Sequence, residues 1–133
     1  MVEKILVVDD DRSMIRLLEY VLGKKGYNVS SASNGLLALK MAHEEEPDLI
    51  ILDVMLPGMD GFNTCERLRC GLKTSEVPIV MLSSKGHDSD KAVAASYGAN
   101  VYLTKPVDSD ELLREVEGLL DRGLVEEKRR SSA

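Results

Sequence analysis

Two short runs of this chain are apolar at every position: Ile5-Leu6-Val7-Val8 and Leu49-Ile50-Ile51-Leu52. A third, Val77–Leu82, carries Pro78 at its edge. A strand turns alternate side chains to opposite faces, so an all-apolar strand must be covered on both. That condition belongs to parallel sheets with helices on each side, and the intervening segments supply the helices. Met14, Leu17, Leu18, Val21 and Leu22 follow the spacing of an amphipathic helix ended by Gly23 and Gly26. Tyr27–Ser31 is a weaker, alternating strand. Asn34-Gly35 opens a second helix with Ala38, Met41 and Ala42 inward, closed by Glu44–Glu46 and Pro47. Pro57-Gly58 and Asp60-Gly61 mark a long turn before a third helix over Phe62–Arg69.

Asp88 can cap a short helix over Lys91–Tyr97, ended by Gly98. It has only Ala92, Val93, Ala94, Ala95 and Tyr97 to bury, which predicts loose anchoring. Val101–Thr104 is a short strand. Asp108 and Glu111 stand in capping-box spacing at the head of a last helix, which buries Leu112, Val116, Leu119 and Leu120 and stops at Gly123. The remainder is charged and small, so the reading is one domain over 1–122 and a disordered tail or linker stub over 123–133. Five alternations of strand and helix predict a five-stranded, doubly wound parallel sheet of the α/β class. The common order for five strands is 2-1-3-4-5, flavodoxin-like, with its ligand crevice between strands 1 and 3.

That topology gives the acidic residues their meaning. Asp9 and Asp10 follow the first run and Asp53 follows the second, so all three flank the crevice. Clustered carboxylates raise one another's pKa unless a cation neutralises them. Oxygen ligands of high negative charge suit a hard divalent ion such as Mg²⁺. Phosphoryl chemistry is the natural use of such a site. A net charge of −6 argues against a nucleic-acid surface, and Lys128-Arg129-Arg130 is too short to make one. No apolar stretch approaches the roughly 20 residues of a membrane span. Cys65 and Cys70 have no metal-finger partners and read as free thiols of a cytoplasmic protein.

Four blocks then resemble one family: Val7-Val8-Asp9-Asp10-Asp11, Leu52-Asp53 through Gly61, Met81-Leu82-Ser83-Ser84 and Leu103-Thr104-Lys105-Pro106. In order, and at the ends of four strands, they resemble the receiver domain of bacterial two-component response regulators over about residues 3 to 122. That family has the same strand order, so topology and resemblance are one expectation. The resemblance implies that Asp53 accepts a phosphoryl group from a histidine kinase or phosphotransfer protein. It implies that Asp9, Asp10, Asp53 and the Met55 backbone carbonyl hold Mg²⁺. Lys105, in a cis Lys105–Pro106 peptide, would pair with Asp53 and then with the phosphoryl group. Ser83 would be the hydroxyl switch residue and Tyr102 the aromatic partner that follows it. Met55 and Lys85 occupy positions that tune phosphoryl lifetime in the family.

The implied protein is a switch with at most slow self-catalysed phosphotransfer and dephosphorylation, not a turnover enzyme. Its output would pass from helix 4, strand 5 and helix 5 to a downstream protein or fused output domain, with a homodimer through the same face left open. The alternative is a Mg²⁺-dependent aspartyl-phosphate hydrolase of haloacid-dehalogenase type. That chemistry wants a second acid two residues after the nucleophile, where this chain has Met55. An FMN carrier would meet a repelling Asp-Asp-Asp after strand 1. Plainer readings make Asp11 a helix cap, Asp60 a turn residue, Tyr102 an ordinary core aromatic, and His43 and His87 solvated.

Overall fold

The structure is a computed structural model that describes residues 2–84 and 88–131; Lys85 and His87 lie outside it, as does the capping side chain expected of Asp88. The elements alternate as anticipated: β1 (Lys4–Val8), α1 (Arg12–Gly23), β2 (Asn28–Ala32), α2 (Gly35–Glu45), β3 (Leu49–Asp53), α3 (Gly61–Cys70), β4 (Ile79–Ser83), α4 (Asp88–Ser96), β5 (Val101–Thr104) and α5 (Ser109–Ser131). The five strands form one parallel sheet in the order β2-β1-β3-β4-β5. The all-apolar runs are central, and β3 and β4 are buried at every position.

Alternation along the strands divides the core in two. Leu6, Val8, Ile50, Leu52, Ile79 and Met81 meet Ala38, Ala42, Leu68 and Ala94 on the face covered by α2, α3 and α4. Ile5, Val7, Leu49, Ile51, Val80 and Leu82 meet Leu18, Leu22, Leu112 and Val116 on the face covered by α1 and α5. Full burial of side chains of this size stabilises by about 1.5–3 kcal/mol each.

Three details differ from the sequence reading. In α1 the inward stripe is Met14, Ile15, Leu18 and Leu22, and Leu17 is 46% exposed. Both Leu17 and Leu18 satisfy the periodicity, and only the angle at which α1 meets the sheet chooses between them. Secondly, α5 does not stop at Gly123 but runs to Ser131. A helical glycine costs only about 1 kcal/mol relative to alanine, and the Leu, Glu, Lys and Arg that follow are good helix formers. The helix therefore continues over residues 123–131.

Thirdly, the carboxyl end of α4 is firmly tied. The Cys65 thiol donates to Tyr97 O (3.3 Å), and Phe62 packs against Tyr97 with ring centroids 5.4 Å apart. Arg69 donates to the carbonyls of Gly98 (3.0 Å), Thr74 (3.1 Å) and Val77 (2.6 Å) and to Asn100 Oδ1 (2.9 Å). One guanidinium, its pKa lowered by burial, thus joins α3 to the segments entering β4 and β5.

Candidate functional site

The site lies where β1, β3, β4 and β5 end. Val8 pairs with Leu52 in register, so Asp9 and Asp53 leave neighbouring strands side by side. Asp53 pairs with Leu82, which sets Ser83 one step further along. Ser83 in turn pairs with Thr104, and the Lys105 N–H donates to Ser83 O (2.6 Å). Parallel register alone therefore delivers Asp9, Asp53, Ser83 and Lys105 to one rim of the sheet.

Each side chain is then held locally. Asp9 is almost fully buried; its Oδ1 accepts from the Asp11 N–H (2.9 Å) and its backbone N–H donates to Ala32 O (3.1 Å). Asp11 itself caps α1, accepting from the Ser13 N–H (2.9 Å). Asp10 is exposed, yet one carboxylate oxygen each from Asp9, Asp10 and Asp53 lie within 4.8 Å of one another. Asp53 is 5% exposed, and its Oδ1 accepts from the Met55 N–H (3.4 Å). The Met55 side chain is 66% exposed at the mouth. The Lys105–Pro106 peptide is cis. Lys105 Nζ donates to Asp9 Oδ2 (3.0 Å) and lies 3.4 Å from Asp53 Oδ1.

The expected Lys105–Asp53 pair is therefore present, but the shorter contact is to Asp9. Ser83 is buried and Tyr102 half-buried against the α2–α3–α4 side of the core.

Charge explains the arrangement. Burial, and then the Asp9 carboxylate, push the Asp53 carboxyl above its usual range, against the opposing pull of Lys105 and the Met55 N–H. Burial pulls the Lys105 ammonium down, but its hydrogen bond to Asp9 and the charges of Asp53 and Asp9 outweigh that, and its pKa rises. Among the described residues, one ammonium serves two buried carboxylates beside a third, exposed one, and three carboxylates within ligand spacing form an all-oxygen donor set compatible with a hard divalent cation.

The sequence reading missed two contributions. Asp60, read as a turn residue, caps α3 by accepting from the Asn63 N–H (2.8 Å). Gly61, read as its turn companion, lies directly against the Asp53–Val54 peptide, and its N–H donates to Val54 O (2.9 Å). Asp-Gly before a helix pattern was signal enough for the cap; nothing in the sequence pointed to the backbone contact.

This fold and this rim of acids define a class. The family model of the response regulator receiver domain matches residues 5–117, and the chain belongs to that family, the receiver domains of two-component response regulators. The chain is 46% identical over 123 residues to the alkaline phosphatase synthesis transcriptional regulatory protein PhoP of Bacillus subtilis (strain 168), covering 92% of this chain and 50% of that protein. It thus spans about half the length of this curated relative. Among solved structures it is similar to a putative response regulator from Chloroflexus aurantiacus J-10-fl, with 40% identity, TM-score 0.87, and 91% of this chain and 99% of that one covered. It is also similar to the chemotaxis protein CheY4 of Vibrio cholerae, with 31% identity, TM-score 0.85, and 90% and 99% covered. Among the described residues no helix is long and apolar enough to cross a membrane.

Proposed function

We propose that Asp53 is the phosphoacceptor of a two-component signalling switch. The observation that carries this is the convergence of the Asp53 carboxylate with Asp9, Asp10 and Lys105 at the crevice between β1 and β3. A carboxylate oxygen of Asp53 forms the new bond to phosphorus as the P–N bond of a donor phosphohistidine breaks, its electron pair returning to the imidazole. A carboxylate needs no general base for this, since it carries its own negative charge. Asp9, Asp10, Asp53 and the Met55 carbonyl would hold Mg²⁺, which when bound supplies positive charge to the transferring phosphoryl oxygens. Lys105 stays near Asp53 and can shift its hydrogen bond from Asp9 to a phosphoryl oxygen.

The product gains roughly 1.5–2 negative charges and three acceptor oxygens. Ser83 can donate to one of them and draw the segment after β4 inward. Tyr102, half-buried on β5, can then fill the space that the moving Ser83 segment vacates. Moving a 1:99 population to 99:1 needs about 5.5 kcal/mol. One charge-assisted hydrogen bond supplies roughly 1.5–3 kcal/mol, so lysine, hydroxyl and cation must act together. The α4–β5–α5 face would carry the change to a downstream protein or a fused output domain, and a homodimer could form through it. The receiver module occupies 1–122, with the remainder of α5 as the start of a linker. Its place is the cytoplasm, where kinase and phosphodonor are; it contacts neither nucleic acid nor membrane itself. Dephosphorylation by its own site is slow, which makes it a switch and not a hydrolase.

Incubation with acetyl phosphate and Mg²⁺ should add one phosphoryl group, detected by intact-mass spectrometry. Chelator and Asp53→Ala should each abolish it. An adduct of unchanged yield in Asp53→Ala removes that residue from the role.

A further inference from the structure

Gly61 stands where the acceptor strand and α3 touch. An added Cβ there would overlap the Asp53 carbonyl oxygen and come within 2.7 Å of Val54 Cα and 2.9 Å of the Asp53 carbonyl carbon. All three are backbone atoms, so no side chain can rotate away to make room. The acceptor peptide cannot simply retreat either: the Val54 N–H donates to Leu82 O (3.0 Å) and Asp53 is in register with Leu82 on β4. On the near side, Gly61 N–H holds Val54 O, and the Asp60 cap fixes the first turn of α3 through Asn63 N and through its own carbonyl, which accepts from the Thr64 hydroxyl (2.8 Å).

The peptide that carries Asp53 is thus clamped between β4 and a helix end that can come this close only because residue 61 has no side chain. Other glycines nearby differ. Gly58 serves its turn through a positive φ of 77° with open space around it. A Cβ on Gly35 would meet the Thr64 hydroxyl, which donates to Asp60 O, and the Met59 backbone, so it would press on the first turn of α3 without touching the acceptor peptide.

We infer that Gly61 is a positioning residue for phosphoryl transfer. It sets the height of the Asp53–Val54 peptide, and through it the Asp53 carboxylate and the Met55 carbonyl two residues on. This rests on the phosphoacceptor reading for its rate consequence, but its consequence for cation binding stands apart from it. Any substituent at 61 must lift α3 or tilt the acceptor peptide. Displacement on the order of 1 Å at a reacting centre can cost about 10²-fold in rate.

The test compares G61A, Leu22→Ala and the parent chain by thermal melting, by the initial rate of phosphorylation from acetyl phosphate, and by Mg²⁺ affinity from amide shifts in NMR titration. G61A should react about tenfold or more slowly and bind Mg²⁺ more weakly, beyond what its loss of stability accounts for. Leu22→Ala should lose stability while its rate and Mg²⁺ affinity stay within about twofold, since Leu22 is buried in the last turn of α1, away from the acceptor peptide. A folded G61A with parental rate and affinity overturns the proposal, as does a fall in both variants that simply tracks melting temperature. If G61A does not fold, Asp60→Ala decides: it keeps the glycine but frees the first turn of α3, and an unaltered rate and affinity overturn the proposal. A parent chain that takes no phosphoryl group at all counts against the acceptor reading, and the Mg²⁺ affinities then test Gly61 alone.

Discussion

Asp53 carries a cost that the rest of the site is arranged to offset. Its carboxyl is buried beside Asp9, and its pKa is raised from the ordinary 3.8. An acid with a raised folded pKa binds its proton more tightly folded than unfolded. Its stabilising contribution is full below the unfolded pKa and is lost as pH rises through the folded one. In cation-free buffer, Asp53→Asn should therefore melt higher than the parent at neutral pH. The gap should close as pH falls below the ordinary carboxylate range. Melting curves across acidic to neutral pH in chelator check this; a gap independent of pH would assign the effect to packing instead. Lys105 softens the cost without removing it, since its closer contact is to Asp9 at 3.0 Å and not to Asp53 at 3.4 Å.

Among the elements, α1 tests how well periodicity chooses a buried face. Leu17 and Leu18 are adjacent and equally apolar, but one is 46% exposed and the other 1%. Leu18→Ala should cost about 2–5 kcal/mol through the cavity it leaves. Leu17→Ala should stay within about 0.5 kcal/mol. Urea unfolding of the two variants measures both, and equal losses would mean that α1 sits rotated from the orientation described. The presence of every helix was legible from periodicity and punctuation, as with Asn34, whose side chain accepts from the Leu37 N–H (2.8 Å) where Asn34-Gly35 opens α2. The face of α1 was not, because a 3.6-residue period leaves two neighbouring leucines about equally placed. Nor was the anchoring of α4, which rests on Arg69 and Cys65 of another helix as well as on its own buried Ala94.

For the whole molecule, the proposed cation site should couple folding to Mg²⁺. An ion that binds the three converging carboxylates binds the folded chain and not the unfolded one, where Asp53 is far from Asp9 and Asp10. Once Mg²⁺ exceeds its dissociation constant, each tenfold rise should add about 1.4 kcal/mol of stability. Melting temperature should climb with Mg²⁺ in the parent and flatten in Asp9→Asn with Asp10→Asn. A parent whose stability ignores Mg²⁺ has no such site. The effect belongs to this scale because no single element holds more than part of the donor set.

What the sequence determined unaided is local and periodic. All-apolar runs must be covered on both faces, helix stripes must face a sheet, and alternation of the two leads to a parallel sheet with Asp9, Asp10 and Asp53 at its switch point. The parallel sheet needs only the spacing of residues along the chain; the strand order, and with it the switch point, came from the common five-strand arrangement that the resembled family shares, and the observed topology agrees. Tertiary structure decided what depends on approach between distant segments. Lys105 reaches Asp9 across 96 residues of sequence, Gly61 rests on the Asp53 peptide, Arg69 gathers carbonyls from two loops, and α5 passes through Gly123. Distances of a few ångströms between backbones arise only when packing angles are set, and no one-dimensional pattern contains those angles.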